Sequence, residues 1–321
     1  MSPLFDNEYL KQKYDGATTS LFRSLVSFYR RAETLVGGRT FDLVWIEKEA
    51  IPYMPARIES FLLGTRTPYV VDYDDAIFHN YDRNANPLIR RILGRKIDTV
   101  MRHSRMVIAG NPYIAGRATL AGASTVEILP TVIDLDRYPT PDFSEPHDIL
   151  VGWIGTPVTS KFLDILRPVF HSDALDPAVK LVAIGSGPLD WSQERFVSRP
   201  WTTETEVDEL RRVSIGVMPL VDSDFERGKS GLKLLQYMAV GIPVVASPVG
   251  VNTSIVEHGV NGFLVSTEKE WLDAINLLAA DAELRERMGR AGRQKVEDQY
   301  SLQSAAPRLS ELLKSAAFSR P

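Results

Sequence analysis

Apolar residues along this chain of 321 residues fall into two alternating kinds of segment. In SLFRSLVSFYRRAETLV, Leu21, Leu25, Phe28 and Leu35 recur near helical spacing and predict a helix over 20–36. FDLVWIE (41–47) predicts a short buried strand. TPYVVDYDDAIF (67–78) predicts a second strand whose apolar run ends abruptly in acids. PLIRRILGRKIDTVMRHS (87–104) predicts one amphipathic helix, and RMVIAG (105–110) the strand after it. Helix and strand alternate, the pattern of a parallel sheet with crossover helices.

The proline- and acid-rich stretch YPTPDFSEPHD (138–148) predicts a linker. A second alternating series follows. Its strands are ILVGWIG (149–155), VKLVAIGSG (179–187), VSIGVMPL (213–220) and IPVVASP (242–248), with helices between them, notably GLKLLQYMAVG (231–241). Strands buried on both faces of a parallel sheet read as continuous apolar runs, as these do. The segment 281–316 predicts two helices. The expected organisation is an N-terminal domain over 1–142, a C-terminal domain over 143–300, and a terminal helix in 301–321 that crosses back to the first domain. Two domains suit the length.

Composition narrows the class. Hydrophobic residues make up 44% and charged residues 24%, as in ordinary globular proteins. The net charge of −4 supplies no general basic field for nucleic acid. There is no cysteine, which excludes a disulfide framework, thiolate zinc sites and cysteine nucleophiles, and fits a reducing cytoplasm. The opening MSPLFDNEYLKQKYDG lacks the basic and apolar regions of a secretory signal. No window holds about 18 apolar residues, so any membrane contact is peripheral.

Candidate chemistry gathers in the second half. Gly155 ends one strand, and Gly185 and Gly187 follow another. Ligands of open parallel sheets bind beyond the carboxyl ends of strands. A lone glycine there also fits a tight turn; several in one domain point to close approach of a ligand. Arg227-Gly228-Lys229-Ser230-Gly231-Leu232-Lys233 reads as a glycine-rich loop opening a helix. Backbone N–H groups and the helix dipole favour phosphate there. Lys229 and Lys233, four apart, are expected on one face, where two ammonium groups can neutralise a diphosphate; a solvated basic helix start is the alternative. The first glycine of a Walker loop is missing, which excludes that ATPase pattern, and no complete GxGxxG follows a strand, which argues against a dinucleotide dehydrogenase.

On these residues, the stretch from about Val151 to Tyr300 resembles the C-terminal domain of retaining family 4 glycosyltransferases, which have the two-Rossmann GT-B architecture. GLKLLQYMAVGIPVVASPVGVNTSIVEHGVNGFLV carries the resemblance most strongly, VKLVAIGSGP adds to it, and RMVIAGNPYIAGRATLAGASTVEILPTVIDLDRY is similar to the close of the family's first domain. The resemblance implies an α/β fold with parallel sheets in two Rossmann-like domains and an interdomain cleft. It implies donor binding on the second domain, acceptor binding mostly on the first, and transfer with retention of anomeric configuration. Compared with the family, the chain looks as if it starts after the usual first strand, glycine-rich loop and helix; an open sheet edge there favours a homo-oligomer.

The family's two glutamates, eight residues apart, correspond here to Gly228 and Gln236. Gln236 offers one acceptor and two donors where a carboxylate only accepts, so it can still contact ribose. After the first strand of this domain the family carries an arginine and a lysine; here Thr156 replaces the arginine and Lys161 fits the lysine. Trp201 falls where the family reads the base, either stacked on it or buried. The donor-binding expectation is therefore Gly155, Thr156, Lys161, Gly185, Trp201, Gly228, Lys229, Ser230, Gly231, Lys233 and Gln236. The catalytic expectation is Lys161 and Lys233, which stabilise the departing diphosphate, with Asp74. Losing one such donor raises a barrier by about 3 kcal/mol.

Asp74 sits in Val71-Asp72-Tyr73-Asp74-Asp75, near the place of a family histidine. Its carboxylate can contact acceptor or donor hydroxyls, or take a proton. Asp72-Tyr73-Asp74 also matches a DxD metal site of another glycosyltransferase fold, and acids that cap the next turn are a third reading; no metal ligand is assigned. His79 is a lesser candidate.

No tightly bound cofactor is expected. The expected partners are a nucleotide-diphosphate sugar as donor substrate and a glycan, lipid-linked or small-molecule acceptor, without nucleic acid. Arg90, Arg91, Arg95, Lys96, Arg102 and Arg105 stand against Asp98 in 88–105, and Arg23, Arg30 and Arg31 lie beside Phe22, Phe28 and Tyr29. These are either solvated helix faces or faces that dock on an anionic membrane surface. The expected location is the cytoplasm, at the inner face of a membrane if those faces dock. The contrasting reading is a non-catalytic sugar-nucleotide-binding or partner subunit on the same fold, motivated by the replaced glutamates.

Overall fold

A computed structural model describes residues 4, 21–63, 67–141, 149–191 and 195–318. Most of the expected linker, from residue 142 on, lies outside the described residues, as do the opening stretch before residue 20 and the side chains of Leu21, Phe22, Arg23 and Leu25. The chain divides into two compact units: Met1–Leu129 with Arg308–Pro321, and Pro130–Pro307.

In the first unit, β1 (Val44–Glu47), β2 (Tyr69–Tyr73), β3 (Met106–Ala109) and β4 (Val126–Ile128) pair in that order, all parallel. The helices before β4 are α1 (Leu21–Gly37), α2 (Ala56–Leu63), α3 (His79–Asp82), α4 (Pro87–Leu93), α5 (Lys96–His103) and α6 (Pro112–Ala121). Central β3 is buried along its whole length, whereas β1 at the edge has only Ile46 buried. That contrast is what helices on both faces of a parallel sheet impose.

The single helix expected over 87–104 is two. α4 stops before Gly94, a poor helix residue, and α5 starts at Lys96. The Lys96 side chain is drawn into the core, its Nζ 2.6 Å from Glu49 and 3.0 Å from Glu59. A buried ammonium needs paired carboxylates, and this demand sets the direction of α5 independently of α4.

In the second unit, β5 (Leu150–Ile154), β6 (Lys180–Ile184), β7 (Phe196–Arg199), β8 (Ile215–Met218), β9 (Val244–Ala246) and β10 (Gly262–Leu264) form a parallel sheet in the order β10-β9-β8-β5-β6-β7. The chain builds one half outward from β5, returns to β8, and builds the other half. Its helices are α7 (Arg167–His171), α8 (Glu206–Arg211), α9 (Asp224–Arg227), α10 (Leu232–Ala239), α11 (Asn252–Ile255), α12 (Glu268–Ala280) and α13 (Ala282–Gln299). One face of the sheet packs Trp153, Leu163, Phe170, Trp271 and Met288; the other packs Leu234, Leu235, Met238, Ile255 and Val296.

A last helix, α14 (Leu302–Phe318), passes from the second unit to the first at Pro307. Beyond it, Leu309, Leu312, Leu313 and Ala316 recur at i, i+3, i+4 and i+7 and pack on Val70, Met106 and Ile108 of the first sheet.

The strand order reverses between β5 and β8, and there the ladder is short: only Val151↔Ile215 and Gly152↔Gly216 pair. Past that point Tyr237 of α10 inserts. Its hydroxyl accepts from the Ile154 N–H at 2.9 Å and donates to the Val217 carbonyl at 3.4 Å. The ring lies flat on Gly216, where a methyl group would come within 2.3 Å of it. On its other side α10 is held by α13: Arg293 donates to the carbonyls of Ala239 at 2.6 Å and Tyr138 at 3.0 Å.

Tyr237→Phe is expected to cost about 1–3 kcal/mol, because a buried N–H loses its acceptor. Gly216→Ala is expected to cost about as much by overpacking. Urea unfolding of the two variants, read at unchanged denaturant slope, checks both values.

Candidate functional site

Open α/β sheets bind ligands beyond the carboxyl ends of the strands where the strand order reverses. Here that place lies beyond β5 and β8. Gly155 is the first residue past β5, and its N–H donates to the Ile184 carbonyl at 2.9 Å. A methyl group on Gly155 would lie 2.4 Å from the Trp153 indole and 2.7 Å from Lys233 Nζ. Gly185, just past β6, has φ +78°, and a methyl there would strike the Gly155 carbonyl oxygen at 2.3 Å and approach Trp201 Cβ at 3.0 Å. The two turns are therefore bare backbone in mutual contact, with Lys233 and Trp201 at their borders.

Lys233 is placed by Tyr237. The two are one helical turn apart, so the hydroxyl that anchors Tyr237 to β5 and β8 also sets the lysine over the end of β5. Its Nζ sits 4.1 Å from the centroid of the Trp153 ring, a contact of the cation–π type. Burial, and secondarily the charge of Lys229, hold the Lys233 ammonium down to about 7.

Lys229 does not share a helical face with Lys233, as the four-residue spacing led one to expect. α10 begins only at Leu232, and Gly231 before it is left-handed at φ +71°. A side chain at Gly231 would strike Ile255 at 2.4 Å. Lys229 instead extends from the loop, its Nζ 5.2 Å from the Phe225 ring. The loop still brings the two ammonium groups close enough for one to depress the other. Gly228 is buried, Ser230 half-buried, and no side chain caps the start of α10.

Trp201 is 47% exposed, so it is not the buried tryptophan of the alternative reading. Its indole N–H donates to Glu206 at 2.8 Å. Glu206 is buried and also accepts from the Tyr138 hydroxyl at 3.0 Å, with Arg137 at 3.6 Å. Gln236 is buried and its amide reaches the same Tyr138 hydroxyl. The spacing of charged residues gave no hint of Glu206, Tyr138 or Trp153; the aromatic in VGWIG and the acid following Trp201 were the available signals.

Other expected residues stand apart. The Thr156 N–H donates to Thr159 Oγ1 at 3.1 Å, closing a tight turn after Gly155. Lys161 is exposed, its ammonium 5.1 Å from the ring of its neighbour Phe162. In the first unit, Asp74 pairs with Lys48 at 3.1 Å. Burial first, then Asp74 and Glu47, push the Asp72 carboxyl up to about 6. His79 has both ring nitrogens engaged, by Asp82 at 2.8 Å and the Tyr113 hydroxyl at 2.9 Å. Among the described residues, no group of three or more His, Cys, Asp or Glu is arranged to hold a metal ion.

The lowered Lys233 value fixes a sign. An unfolded lysine titrates near 10.4, so below about pH 7 both states carry the charge and the whole burial penalty is present. Between about 7 and 10.4 the unfolded chain binds the extra proton, and stability rises with pH. Lys233→Met should therefore stabilise the protein more at pH 6 than at pH 10, as urea unfolding at the two values will read. The Lys233 side-chain NMR titration should have its midpoint near 7, moving upward in Lys229→Ala.

Residues 149–281 match a family model described as glycosyl transferases group 1. A sulfoquinovosyl transferase of Arabidopsis thaliana is 30% identical over 186 residues, covering 54% of this chain and 35% of that protein. A D-inositol 3-phosphate glycosyltransferase of Paenarthrobacter aurescens is 27% identical over 199 residues, 53% of this chain and 47% of the relative. The chain thus matches less than half the length of these relatives. Among solved structures, sucrose-phosphate synthase from Thermosynechococcus elongatus superposes with a TM-score of 0.70 at 17% identity, over 93% of this chain and 79% of that one. The Anabaena protein HepE in complex with UDP gives 0.69 at 18% identity, over 89% and 82%. The fold is α/β of the GT-B kind, two Rossmann-like domains with parallel sheets, and its segment 149–281 carries the sequence pattern of the group 1 glycosyl transferases.

Proposed function

We propose that the protein is a glycosyltransferase that moves a sugar from a nucleotide-diphosphate donor to a glycan, lipid-linked or small-molecule acceptor, with retention of configuration. The observation that carries the reading is the Lys233 ammonium lying against the bare backbone of Gly155 where the strand order reverses. A diphosphate in that place meets Lys233, Lys229 and the uncapped start of α10, with Ser230 and Gly231 in the same loop. Gly185 and Trp201 border the nucleoside, Gln236 is the ribose candidate, and Thr156 and Lys161 follow the turn after β5. The match to group 1 glycosyl transferases and the UDP complex of a protein with the same fold support a nucleoside diphosphate.

In this reading the bond from the anomeric carbon to the diphosphate oxygen breaks, the acceptor hydroxyl oxygen bonds to that carbon on the same face, and its proton passes to the departing diphosphate oxygen. Charge builds on the diphosphate, where prepositioned cations lower the barrier. A lysine held near 7 takes up a proton as the anion arrives, since an adjacent negative charge favours the charged form. The first unit is proposed to read the acceptor, with Asp74 a candidate contact to hydroxyls. The donor needs no metal here, because lysines take the neutralising role.

A second reading rests on Gln236. A buried amide committed to Tyr138, with Gly228 where a carboxylate is usual, suits a subunit that binds a sugar nucleotide without turning it over.

Release of nucleoside diphosphate from a panel of donors, with and without saccharide and lipid-linked acceptors, separates the two. Turnover with at least one donor is expected, and Lys233→Met should lower kcat by about 100-fold or more. Binding without release from any donor favours the second reading. Calorimetry in buffers of different ionisation enthalpy should show proton uptake on nucleoside diphosphate binding at pH 8, abolished in Lys233→Met; unchanged affinity for nucleoside diphosphate in Lys233→Met removes Lys233 from the site.

A further inference from the structure

Between residues 83 and 126 the chain carries eight lysines and arginines and one carboxylate, Asp98, although the whole protein has a net charge of −4. The fold consumes part of this charge. Lys96 is buried against Glu49 and Glu59. Arg117 pairs with Asp98 at 2.7 Å and with Asp82 at 3.0 Å. Arg102 donates to the Ala121 carbonyl at 2.8 Å. Arg90 donates to the carbonyls of Asn84 and Ala85, which fixes its position and leaves its charge uncompensated. Arg91 and Arg95 are exposed and form no ion pair with a described residue.

Apolar side chains stand among these cations. Leu88, Arg91, Ile92 and Arg95 recur at i, i+3, i+4 and i+7 along α4 and the turn that follows it, which makes them one stripe. Leu88 and Ile92 are each 61% exposed, and Leu120 at the end of α6 is 87% exposed. Leu120, Arg90, Arg95 and Arg117 line a pocket of about 410 Å³ whose two acids, Asp82 and Asp98, are already paired to Arg117. The stripe and the pocket meet at Arg95.

Cations alone would suit any soluble polyanion and would leave Leu88, Ile92 and Leu120 without a partner. An anionic bilayer takes both: headgroup phosphates meet the arginines, and the apolar side chains reach the boundary between headgroups and acyl chains. No helix among the described residues is long and apolar enough to cross a membrane, so such contact is peripheral. We propose that α4, the Arg95 turn and Leu120 form a surface that docks reversibly on an anionic phospholipid bilayer.

Co-sedimentation of the full chain with vesicles tests this. Partition is expected onto phosphatidylcholine vesicles containing phosphatidylglycerol, not onto phosphatidylcholine alone, and should weaken as salt is raised. Each surface arginine contributes roughly fivefold, so the double variant Arg91→Glu, Arg95→Glu should lose about 25-fold or more. Leu88→Ser with Ile92→Ser should also lower partition severalfold at unchanged charge. All four side chains are exposed, and unaltered thermal unfolding midpoints will verify that both variants fold. Equal partition onto neutral vesicles, or partition indifferent to the Arg91→Glu, Arg95→Glu change, overturns the proposal. So does loss with the Arg91→Glu, Arg95→Glu variant but not with the Leu88→Ser, Ile92→Ser variant, which marks a site for soluble polyanions instead.

Discussion

One hydroxyl group holds the second unit's candidate site in register. The β5–β8 ladder ends early, and the Tyr237 oxygen takes over from it, accepting from Ile154 and donating to Val217. Without that atom the two strands would diverge with a buried N–H exposed to no partner, which costs far more than an average hydrogen bond is worth. The helix that carries Tyr237 is thereby fixed at the strand-order reversal, and Lys233, one turn earlier, is fixed with it. The packing that makes this possible is severe: Gly216 below the ring admits no side chain, and Gly292 on α13 would crowd Met238 at 2.9 Å if it bore a methyl.

Strands β2, β3, β5, β6, β8 and β9 were legible in the sequence because burial on two faces writes itself as an unbroken apolar run. VGWIG, KLVAIG and VVAS need no periodicity to be seen. Less visible were elements stabilised by local polar chemistry. α12 is announced by Thr267 and Glu270, which form a reciprocal capping box, a signal in four residues rather than in a periodic pattern. β4 and β7 were missed because edge strands with few buried side chains lack the apolar run. The break between α4 and α5 was hidden because the pairing of Lys96 with Glu49 and Glu59 involves residues 47 and 37 positions away.

For the site, residue types were readable and their arrangement was not. Glycine after a strand, lysine near a helix start and tryptophan after a strand could each be named from the sequence. That Gly155 and Gly185 touch, that Lys233 lies over Trp153, and that Trp201 is steadied by a buried Glu206 are properties of strand order. The same holds for charge. The net value of −4 concealed a segment of opposite sign, and only the fold separates its paired cations from its exposed ones.

The passage of α14 through Pro307 bears on the order in which the protein comes into being. The second unit is one uninterrupted stretch, whereas the first is closed by Leu309, Leu312, Leu313 and Ala316, residues at the far end of the chain. During synthesis the sheet face formed by Val70, Met106 and Ile108 stays uncovered while nearly two hundred further residues are made. Domains that emerge first ordinarily fold first. Here the unit that emerges first is the last to be completed, and the second unit can be finished while its predecessor still waits for its final helix.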